Sequence, residues 1–439
     1  MEDRPPEHES PAPGEPPQAP GGDPLVPPQP PDEESLGPPQ PPRGDSPEAL
    51  LRRLRSRLPV SPLPWHWHKR INRATVIGIA VLVVGGAVAS VLIQRGSESD
   101  SESAPALETS QPVKRKLAKL SLGEKASAVV LAGLGGGGAK ELGEPEPGGV
   151  LVGPEDWAAG GARLVSALRK AGGKKRPLIV GRQEGGIYRS YPDLPPDLRQ
   201  LEIGDTLDPA LARSSARETA AALKRAGFDL NLGPVADVAT LDSPIADRAF
   251  SDDPEVATAM TDAAVRGCAQ GGIACAVKHF PGLGGASSDT ADGPATVSLD
   301  ASSLEARDLA PFRAAFQAGA PAVVLSLAFY AAHDPVTPGA LSPTVATELL
   351  RGELGFKGVA ISDDLTSGAI TAGVGAPEAA VQALAAGSDM VLIDDPAQAK
   401  AAREAILQSA KSGGLSSARL DEAVARVLEL KRGLGLLPR

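Results

Sequence analysis

Short apolar runs alternate with helical patterns from residue 117 to the C-terminus, and this alternation restricts the fold more than any other feature. The runs are apolar on both faces, as in strands of a parallel sheet that is covered on both sides. Eight such runs separated by helices predict an α/β fold, a (β/α)8 TIM-type barrel. The predicted strands are 128–132, 149–152, 177–180, 229–232, 273–277, 322–327, 358–361 and 390–393. The predicted helices are 157–171, 210–226, 254–271, 304–318, 343–354, 377–386, 398–409 and 417–432.

An open, doubly wound sheet is the alternative to a barrel. Such sheets have fewer strands and bind phosphate at a glycine-rich turn that opens a helix. Residues 133–138 fit the G-x-G-x-x-G pattern, but residues 139–149 then contain two prolines and three glycines. No helix can open there, so we expect a loop and not a dinucleotide site.

The chain ahead of the predicted barrel divides into four segments. Residues 1–48 are Pro-rich and acidic and are predicted to be a disordered cytoplasmic tail, since they hold too little apolar surface to fold. Residues 49–73 are basic. Residues 74–93 contain no charge and are long enough to cross a bilayer, so we expect a transmembrane helix. Residues 94–116, rich in Ser and Glu, are predicted to be an extracytoplasmic linker to the barrel at 117–439.

The basic residues before 74–93 predict the orientation of this span. Positive charge accumulates on the cytoplasmic side of a membrane, which places the N-terminus inside and the barrel outside. A cleaved signal peptide is the alternative, but the apolar run is too long and begins too far from Met1. A buried core helix is the other alternative, and the charged flanks argue against it. We therefore expect a single-pass protein of the cell membrane.

Charge and cysteine content exclude two further classes of protein. The formal net charge of -10 argues against nucleic acid as a partner. Two cysteines, Cys268 and Cys275, do not make a disulfide scaffold, and we expect two small buried residues. A bridge between them would require a tight turn and an oxidising compartment.

Charged residues follow most of the predicted strands. Active sites of such barrels lie at the carboxyl ends of the strands, so these residues converge on one rim. The set is Arg182 and Glu184 after the third strand, Asp237 after the fourth, Lys278 and His279 after the fifth, Asp363 and Asp364 after the seventh, and Asp394 and Asp395 after the eighth. Carboxylates beside a lysine and a histidine suit glycosidic chemistry, in which one carboxylate attacks the sugar carbon. The chain has no Cys/His metal spacing, and we expect no metal and no cofactor.

Six sequence blocks resemble those of glycoside hydrolase family 3, in particular the bacterial single-domain β-N-acetylhexosaminidases. They are PLIVGRQEGG at 177–186, NLGPVADV at 231–238, IADRAF at 245–250, KHFPG at 278–282, GVAISDDL at 358–365 and AGSDM at 386–390. The blocks occur in the family's order across the whole globular part. The resemblance implies the same barrel and a retaining glycosidase.

The resemblance also assigns residues. Asp363 falls on the family's catalytic nucleophile, while its neighbour Asp364 is expected to serve structure. Lys278, His279 and Arg248 fall on residues that hold the sugar's hydroxyl and N-acetyl groups. A core histidine and a structural ion pair are the alternatives for His279 and Arg248.

The loop after KHFPG departs from the family. The family's general acid/base there is a dyad of aspartate and histidine. The aspartate is kept as Asp289, but Ala291 stands at the histidine and Leu283 at an earlier loop histidine. Asp289 or Asp292 could protonate the leaving group directly, although an exposed aspartate, with a pKa of about 3.9, is a weak acid catalyst at neutral pH.

The third strand departs as well. Arg182 stands where the family has an aspartate that accepts hydrogen bonds from sugar hydroxyls. A guanidinium only donates, which would suit a sugar bearing an acidic group, or no sugar. The family's next arginine falls on Ser190, with Arg189 beside it as the candidate for that contact.

Two functions remain open. The first is a membrane-anchored, exported β-N-acetylhexosaminidase-like hydrolase that acts on N-acetylglucosamine-containing glycans such as peptidoglycan fragments, with weak or altered activity. The second is a catalytically inactive barrel that serves as a glycan-binding or scaffolding module. The kept Asp363, Lys278 and His279 favour the first, and Ala291 and Arg182 favour the second.

Overall fold

The structure, a computed structural model, describes residues 108–138, 146–173 and 176–437. Its barrel strands are β1 Val130–Gly133, β2 Gly149–Leu151, β3 Leu178–Gly181, β4 Leu230–Asn231, β5 Ala274–Phe280, β7 Ala322–Leu325, β9 Val359–Ser362 and β10 Val391–Ile393. These eight parallel strands form one sheet in the order β10-β1-β2-β3-β4-β5-β7-β9. An isolated parallel bridge between Ile361 and Met390 joins the two outer strands and closes the barrel. The predicted (β/α)8 barrel is therefore confirmed.

Two further strands lie outside the barrel. They are β6 Thr296–Val297 and β8 Phe329–Tyr330, which pair in parallel. β6 follows the loop after β5, and β8 follows β7. This small sheet therefore ties together two of the connections that leave the carboxyl end of the barrel.

Helices cover the barrel, and several of them begin where an Asp-Pro pair stands in the sequence. The side chains of Asp208, Asp253 and Asp395 accept hydrogen bonds from first-turn N–H groups. This capping satisfies donors that a helix N-terminus leaves unpaired. The α-helices are Gln111–Leu117, Leu122–Ala128, Pro154–Ala171, Gln200–Gly204, Pro209–Ala226, Pro254–Gly271, Ala301–Ser303, Leu309–Gln317, Gly368–Thr371, Ala376–Ala386, Pro396–Ser412 and Ser417–Gly433.

Two predicted helices differ from α-helical geometry. The helix predicted at 304–318 begins with a π-helical segment, Leu304–Asp308, before the α-helix Leu309–Gln317. The helix predicted at 343–354 is π-helical over Thr344–Glu353. Hydrophobic periodicity does not distinguish these winding types, so the sequence could not reveal them.

The barrel interior and its outer shell are packed mainly with aliphatic side chains, as a chain with only 3% aromatic residues requires. Residues from several strands form one buried cluster, which includes Leu131, Leu230 and Ile361. The few aromatic rings group together, with Phe280 and Phe312 meeting edge to face at 5.4 Å. This contact fixes the helix Leu309–Gln317 against β5.

The folded part of the chain begins earlier than the predicted boundary between linker and barrel at residue 117. Gln111–Leu117 is a helix with a proline in its first turn, and its Val113 is fully buried. The Ser110 N–H donates to Glu429 of the final helix at 2.6 Å. The C-terminal end of the predicted linker, 94–116, is thus part of the folded unit, because a buried side chain and a hydrogen bond dock this short helix.

The predicted transmembrane helix at 74–93, the tail at 1–48 and the basic segment at 49–73 lie outside the described residues. Among the residues described, no helix is both long and apolar enough to span a bilayer.

Both cysteines are buried as expected, with exposed fractions of 6% and 1%, but they are not two separate thiols. Cys268, near the end of the helix Pro254–Gly271, and Cys275, in β5, form a disulfide across a Cα–Cα distance of 6.2 Å. The tight turn that a bridge requires is present, since the helix ends at Gly271 and β5 begins at Ala274. The disulfide therefore links this helix to β5, the strand that also carries Lys278 and His279.

Candidate active site

A cavity of about 310 Å³ opens at the carboxyl ends of the strands. Six of the seven predicted site residues line it, namely Arg182, Arg248, Lys278, His279, Asp289 and Asp363. Glu184, Leu283, Thr290, Ala291, Leu327, Asp364 and Ser367 complete the wall. The structure thus brings together residues that are as much as 181 positions apart, from Arg182 to Asp363, and their proposed roles remain predictions.

Glu184 is the centre of the charge network on the floor of this cavity. Its carboxylate accepts a hydrogen bond from Lys278 Nζ at 2.5 Å and two from the Arg248 guanidinium at 2.8 and 2.9 Å. Burial opposes ionisation of Glu184, but the charges of Lys278 and Arg248 outweigh it and hold the pKa of that carboxyl well below its usual range. Lys278 and Arg248 are therefore held in place before any ligand binds.

Lys278 and His279 are buried at the end of β5, with exposed fractions of 4% and 3%. Burial lowers the pKa of Lys278, and the Glu184 carboxylate opposes that change. The Lys278–His279 and Phe280–Pro281 peptide bonds are both cis. With its carboxylate partner, Lys278 is both a satisfied buried residue and part of the cavity wall.

His279 lies between two carboxylates. Its Nδ1 is 2.8 Å from Asp237 Oδ2, and its Nε2 is 3.7 Å from Asp363 Oδ2. Asp237 is fully buried and also accepts hydrogen bonds from the N–H groups of His279 at 3.2 Å and Leu283 at 2.7 Å. Because Asp237 holds Nδ1, the other ring nitrogen is directed at Asp363.

Asp363 follows β9 directly and keeps a side chain that is 25% exposed. Burial would raise its pKa, but the charges of His279, Arg182 and Lys278 outweigh burial and lower the pKa of Asp363. This carboxyl is therefore an anion at neutral pH, the form that a nucleophile requires. Its neighbour Asp364 accepts hydrogen bonds from Thr366 and from the Asp394 N–H, so it ties together the segments after β9 and β10 as well as lining the cavity.

Arg182 is not a free cation in this cavity. Its Nη1 donates to Asp394 Oδ2 at 3.0 Å, and the two side chains are 32% and 36% exposed. Gly133 makes room for Asp394, since a Cβ there would lie 2.4 Å from Asp394 Oδ1. An acidic substituent on the substrate is therefore not needed to balance Arg182.

The loop from Leu283 to Ala291 forms one side of the cavity. Asp289 is half-buried, accepts a hydrogen bond from the Ala291 N–H at 2.9 Å, and acts electrostatically on Arg248. Leu283 is 1% exposed and packs in the core, whereas Ala291 is exposed.

The same loop is held against the segment that follows Asp363. The carbonyl groups of Thr290 and Ala291 accept hydrogen bonds from the N–H groups of Ala369 at 3.1 Å and Gly368 at 2.9 Å. These contacts involve the backbone alone, so they do not depend on which side chain stands at position 291.

Arg189 is not part of the cavity wall, unlike the other six predicted residues. Its guanidinium donates to Asp197 Oδ1 at 2.5 Å and to the Gly186 carbonyl at 3.0 Å. These contacts hold the turn after β3 and account for the charge of Arg189 without a ligand.

Three residues of the site were not selected from the sequence as binding or catalytic residues: Glu184, Asp237 and Asp394. Each follows a barrel strand, so its place at the rim was a usable signal. The partners of these residues were not predictable from the sequence. Glu184 and Lys278, for example, are 94 residues apart. Within the described ranges, no group of three or more His, Cys, Asp or Glu side chains is arranged to hold a metal ion.

Comparisons with known proteins agree with this geometry. The glycosyl hydrolase family 3 N-terminal domain matches residues 139–430. A β-hexosaminidase of Stenotrophomonas maltophilia is 38% identical over 240 residues, which is 53% of this chain and 71% of that protein.

Two solved structures share the fold. A family 3 β-N-acetylglucosaminidase from Paenibacillus superposes with a TM-score of 0.69 at 31% identity, covering 72% of this chain and 63% of that one. A β-N-acetylhexosaminidase from Beutenbergia cavernae gives 0.64 at 30% identity, covering 72% and 99%. The family match spans more than half of the chain and includes the whole cavity wall. The chain therefore belongs to glycosyl hydrolase family 3 and is, by class, a glycosidase of O-glycosyl bonds.

Proposed function

We propose that the protein is a retaining β-N-acetylhexosaminidase-like enzyme that acts on N-acetylglucosamine-containing glycans, such as peptidoglycan fragments, with weak or altered activity. The observation that carries the proposal is the environment of Asp363. This anionic carboxyl faces a cavity whose cations, Lys278 and Arg248, are already fixed by Glu184. A nucleophile and preassembled donors for a sugar are thus present together.

In the proposed mechanism, Asp363 attacks the anomeric carbon and forms a covalent glycosyl intermediate, which water then hydrolyses. His279 orients the Asp363 carboxylate, while Lys278 and Arg248 donate hydrogen bonds to the bound sugar. Asp289 is the carboxyl of the 283–291 loop that lines the cavity, and we assign it the proton transfer to the leaving oxygen. Without an imidazole partner at Ala291 this step is slow, since a general acid contributes about 10² to 10⁴ in rate.

The test is a fluorinated N-acetylglucosaminide that accumulates the covalent intermediate. We expect intact-mass analysis of the full chain to show one added sugar, and peptide mapping to place it on Asp363. Asp363→Asn is the matched control and should take up no label. Absence of the added mass from the unchanged protein would contradict the proposal for this substrate class.

A second measurement tests whether protonation of the leaving group by Asp289 is the slow step. Aryl N-acetylglucosaminides with a dinitrophenol leaving group need no protonation, whereas methylumbelliferyl glycosides need some. We expect kcat/KM for the dinitrophenyl glycosides to be about 10²-fold higher or more than for the methylumbelliferyl glycosides. Equal rates would show that proton transfer is not the impaired step.

The inactive, glycan-binding module remains the second candidate, and Ala291 and Arg182 favour it. It predicts saturable binding of N-acetylglucosamine oligomers without hydrolysis of any leaving group. Binding that survives in Asp363→Asn, together with no labelling of the unchanged protein, would establish it.

We also propose that residues 74–93 anchor the barrel on the outer side of the cell membrane. The Cys268–Cys275 disulfide supports export, since structural disulfides persist in oxidising compartments. Protease added outside intact cells should then digest the barrel and spare the Pro-rich tail at 1–48. Protection of the barrel would contradict this orientation.

A further inference from the structure

Asp308 is a fully buried carboxyl that the proposed mechanism does not use. It ends the π-helical segment Leu304–Asp308, at the point where the α-helix Leu309–Gln317 packs on β5. The edge-to-face contact of Phe312 with Phe280 fixes this helix beside the strand end that carries His279. Asp308 therefore lies beside the active-site turn without being part of the cavity wall.

Both carboxyl oxygens of Asp308 lack a hydrogen-bond partner among the described residues. Its ion pair is with Arg307, at 3.5 Å from Nε to Oδ2, and that Nε is itself buried without a hydrogen bond in this part of the chain. A second nitrogen of the guanidinium is engaged elsewhere, since Arg307 Nη2 donates to the Val238 carbonyl at 2.6 Å. A buried carboxylate without donors is strongly unfavourable, so the neutral acid is the stable form.

The Asp308 side chain lies directly on the turn at 278–282. A Cβ built on Gly282 would be 2.5 Å from Asp308 Cβ and 2.9 Å from Oδ1. The Gly282 N–H donates to the His279 carbonyl at 2.8 Å, and the Gly282 carbonyl accepts a hydrogen bond from the Tyr330 hydroxyl at 3.0 Å. Asp308 and Tyr330 therefore both contact the glycine that ends this turn.

A second buried carboxyl, Asp237, is close enough to act on the charge of Asp308. Asp237 accepts hydrogen bonds from the Leu283 and His279 N–H groups and pairs with the imidazole, whereas Asp308 has none of these contacts. Asp237 thus has the hydrogen-bond donors that a buried anion needs, whereas Asp308 has none among the described residues. A second negative charge would repel Asp237 and weaken its hold on His279.

On the basis of the reaction proposed above, we propose that Asp308 is a positioning residue that keeps its proton in the working enzyme and so fixes the 278–282 turn and His279. The groups that face it are Arg307, Asp237 and the Tyr330 hydroxyl. Burial raises the pKa of Asp308 to about 7; the Arg307 guanidinium opposes that rise and the Asp237 carboxylate adds to it. The site therefore loses its shape as the pH rises above neutral.

Asp308→Asn in the full chain tests this, because the amide keeps the shape and cannot ionise. At pH 6 we expect kcat/KM on an activated aryl N-acetylglucosaminide within about twofold of the unchanged protein. From pH 6 to pH 8 the ratio of variant to unchanged activity should rise about tenfold, as an acid of pKa near 7 loses its proton. Asp252→Asn, at an exposed position, is the control and should leave the profile unchanged. Identical pH profiles for Asp308→Asn and the unchanged protein would overturn the proposal.

Thermal unfolding gives a readout that does not depend on activity. An unfolded aspartate ionises near pH 4, whereas folded Asp308 ionises only at about pH 7. The unchanged protein should therefore lose stability relative to Asp308→Asn as the pH rises from 4 to 7, by roughly 5 °C or more in Tm. A constant difference in Tm over this range would indicate a merely structural role and overturn the proposal. If the pH-dependent difference is present but no substrate is cleaved, the proposed function fails and the protonated state of Asp308 stands.

Discussion

The turn at 278–282 and the loop at 283–291 are adjacent in sequence and differ in what holds them. In the turn, Lys278 and His279 are buried and each meets a carboxylate, Glu184 and Asp237. In the loop, the contacts to residues 368 and 369 are backbone hydrogen bonds, and the side chain of Ala291 is exposed. The cation and imidazole proposed to hold the sugar are therefore built into the fold, whereas the proposed proton donor would depend on one exposed side chain. Such a side chain can be lost with little effect on folding.

Asp363→Asn should have the largest effect, since it removes the proposed nucleophile, which lies 3.7 Å from His279 Nε2 of the turn. We expect hydrolysis of aryl N-acetylglucosaminides to fall by about 10⁴-fold or more, with KM little changed. Steady-state kinetics measure this, and circular dichroism checks that the variant is folded. A loss below about tenfold would mean that another carboxyl attacks.

Glu184→Gln tests whether the turn depends on its buried charges. Breaking a buried ion pair from one side costs about 3–5 kcal/mol, because Lys278 and Arg248 are left without their anion. Urea unfolding at pH 7 should show this loss. The pKa of Glu184 is depressed in the folded state, so its contribution is present above the unfolded pKa of about 4.5 and fades as the pH falls below it. An equal loss at pH 7 and pH 3.5 would contradict the electrostatic explanation.

Gly282→Ala should destabilise the junction between the two regions. A Cβ at Gly282 would lie 2.5 Å from Asp308 Cβ, and the backbone there has φ +131. Overpacking of this kind costs about 1–3 kcal/mol, measurable by urea unfolding. Gly293→Ala is the control, since nothing lies within 4 Å of a Cβ at Gly293. Equal stability of the two variants would contradict the close approach of Asp308 to this turn.

Ala291→His should have the smallest effect on folding and examines the loop alone. The position is exposed, so we expect a change within about 0.5 kcal/mol in the free energy of unfolding. If the missing imidazole limits catalysis, hydrolysis of a poor leaving group should rise about tenfold or more. Faster cleavage of the dinitrophenyl substrate alone would argue that the imidazole is not acting as an acid.

Much of the site could be located from the sequence, because strand ends are recognised from short stretches of the chain. Apolar runs mark strands, and the residues that follow parallel strands share one rim. Lys278, His279 and Asp363 were found in this way, as was the barrel itself. Arg189 was selected differently, from its place beside a family arginine, and that choice put it outside the cavity wall, because the turn after β3 directs its guanidinium to Asp197. Side-chain direction in a turn depends on contacts that the strand pattern does not contain.

The sequence by itself determined the alternation of strands and helices, the barrel, and the identity of the charged residues at its rim. Tertiary structure decided which of these charges are paired: Glu184 with Lys278 and Arg248, Asp237 with His279, and Arg182 with Asp394. It also decided that Cys268 and Cys275 are bonded, and that among the described residues Asp308 has no donor. The physical reason is that periodicity reports which face of an element is buried. Pairing and desolvation depend on distances between residues far apart in the chain, which only the packed fold sets.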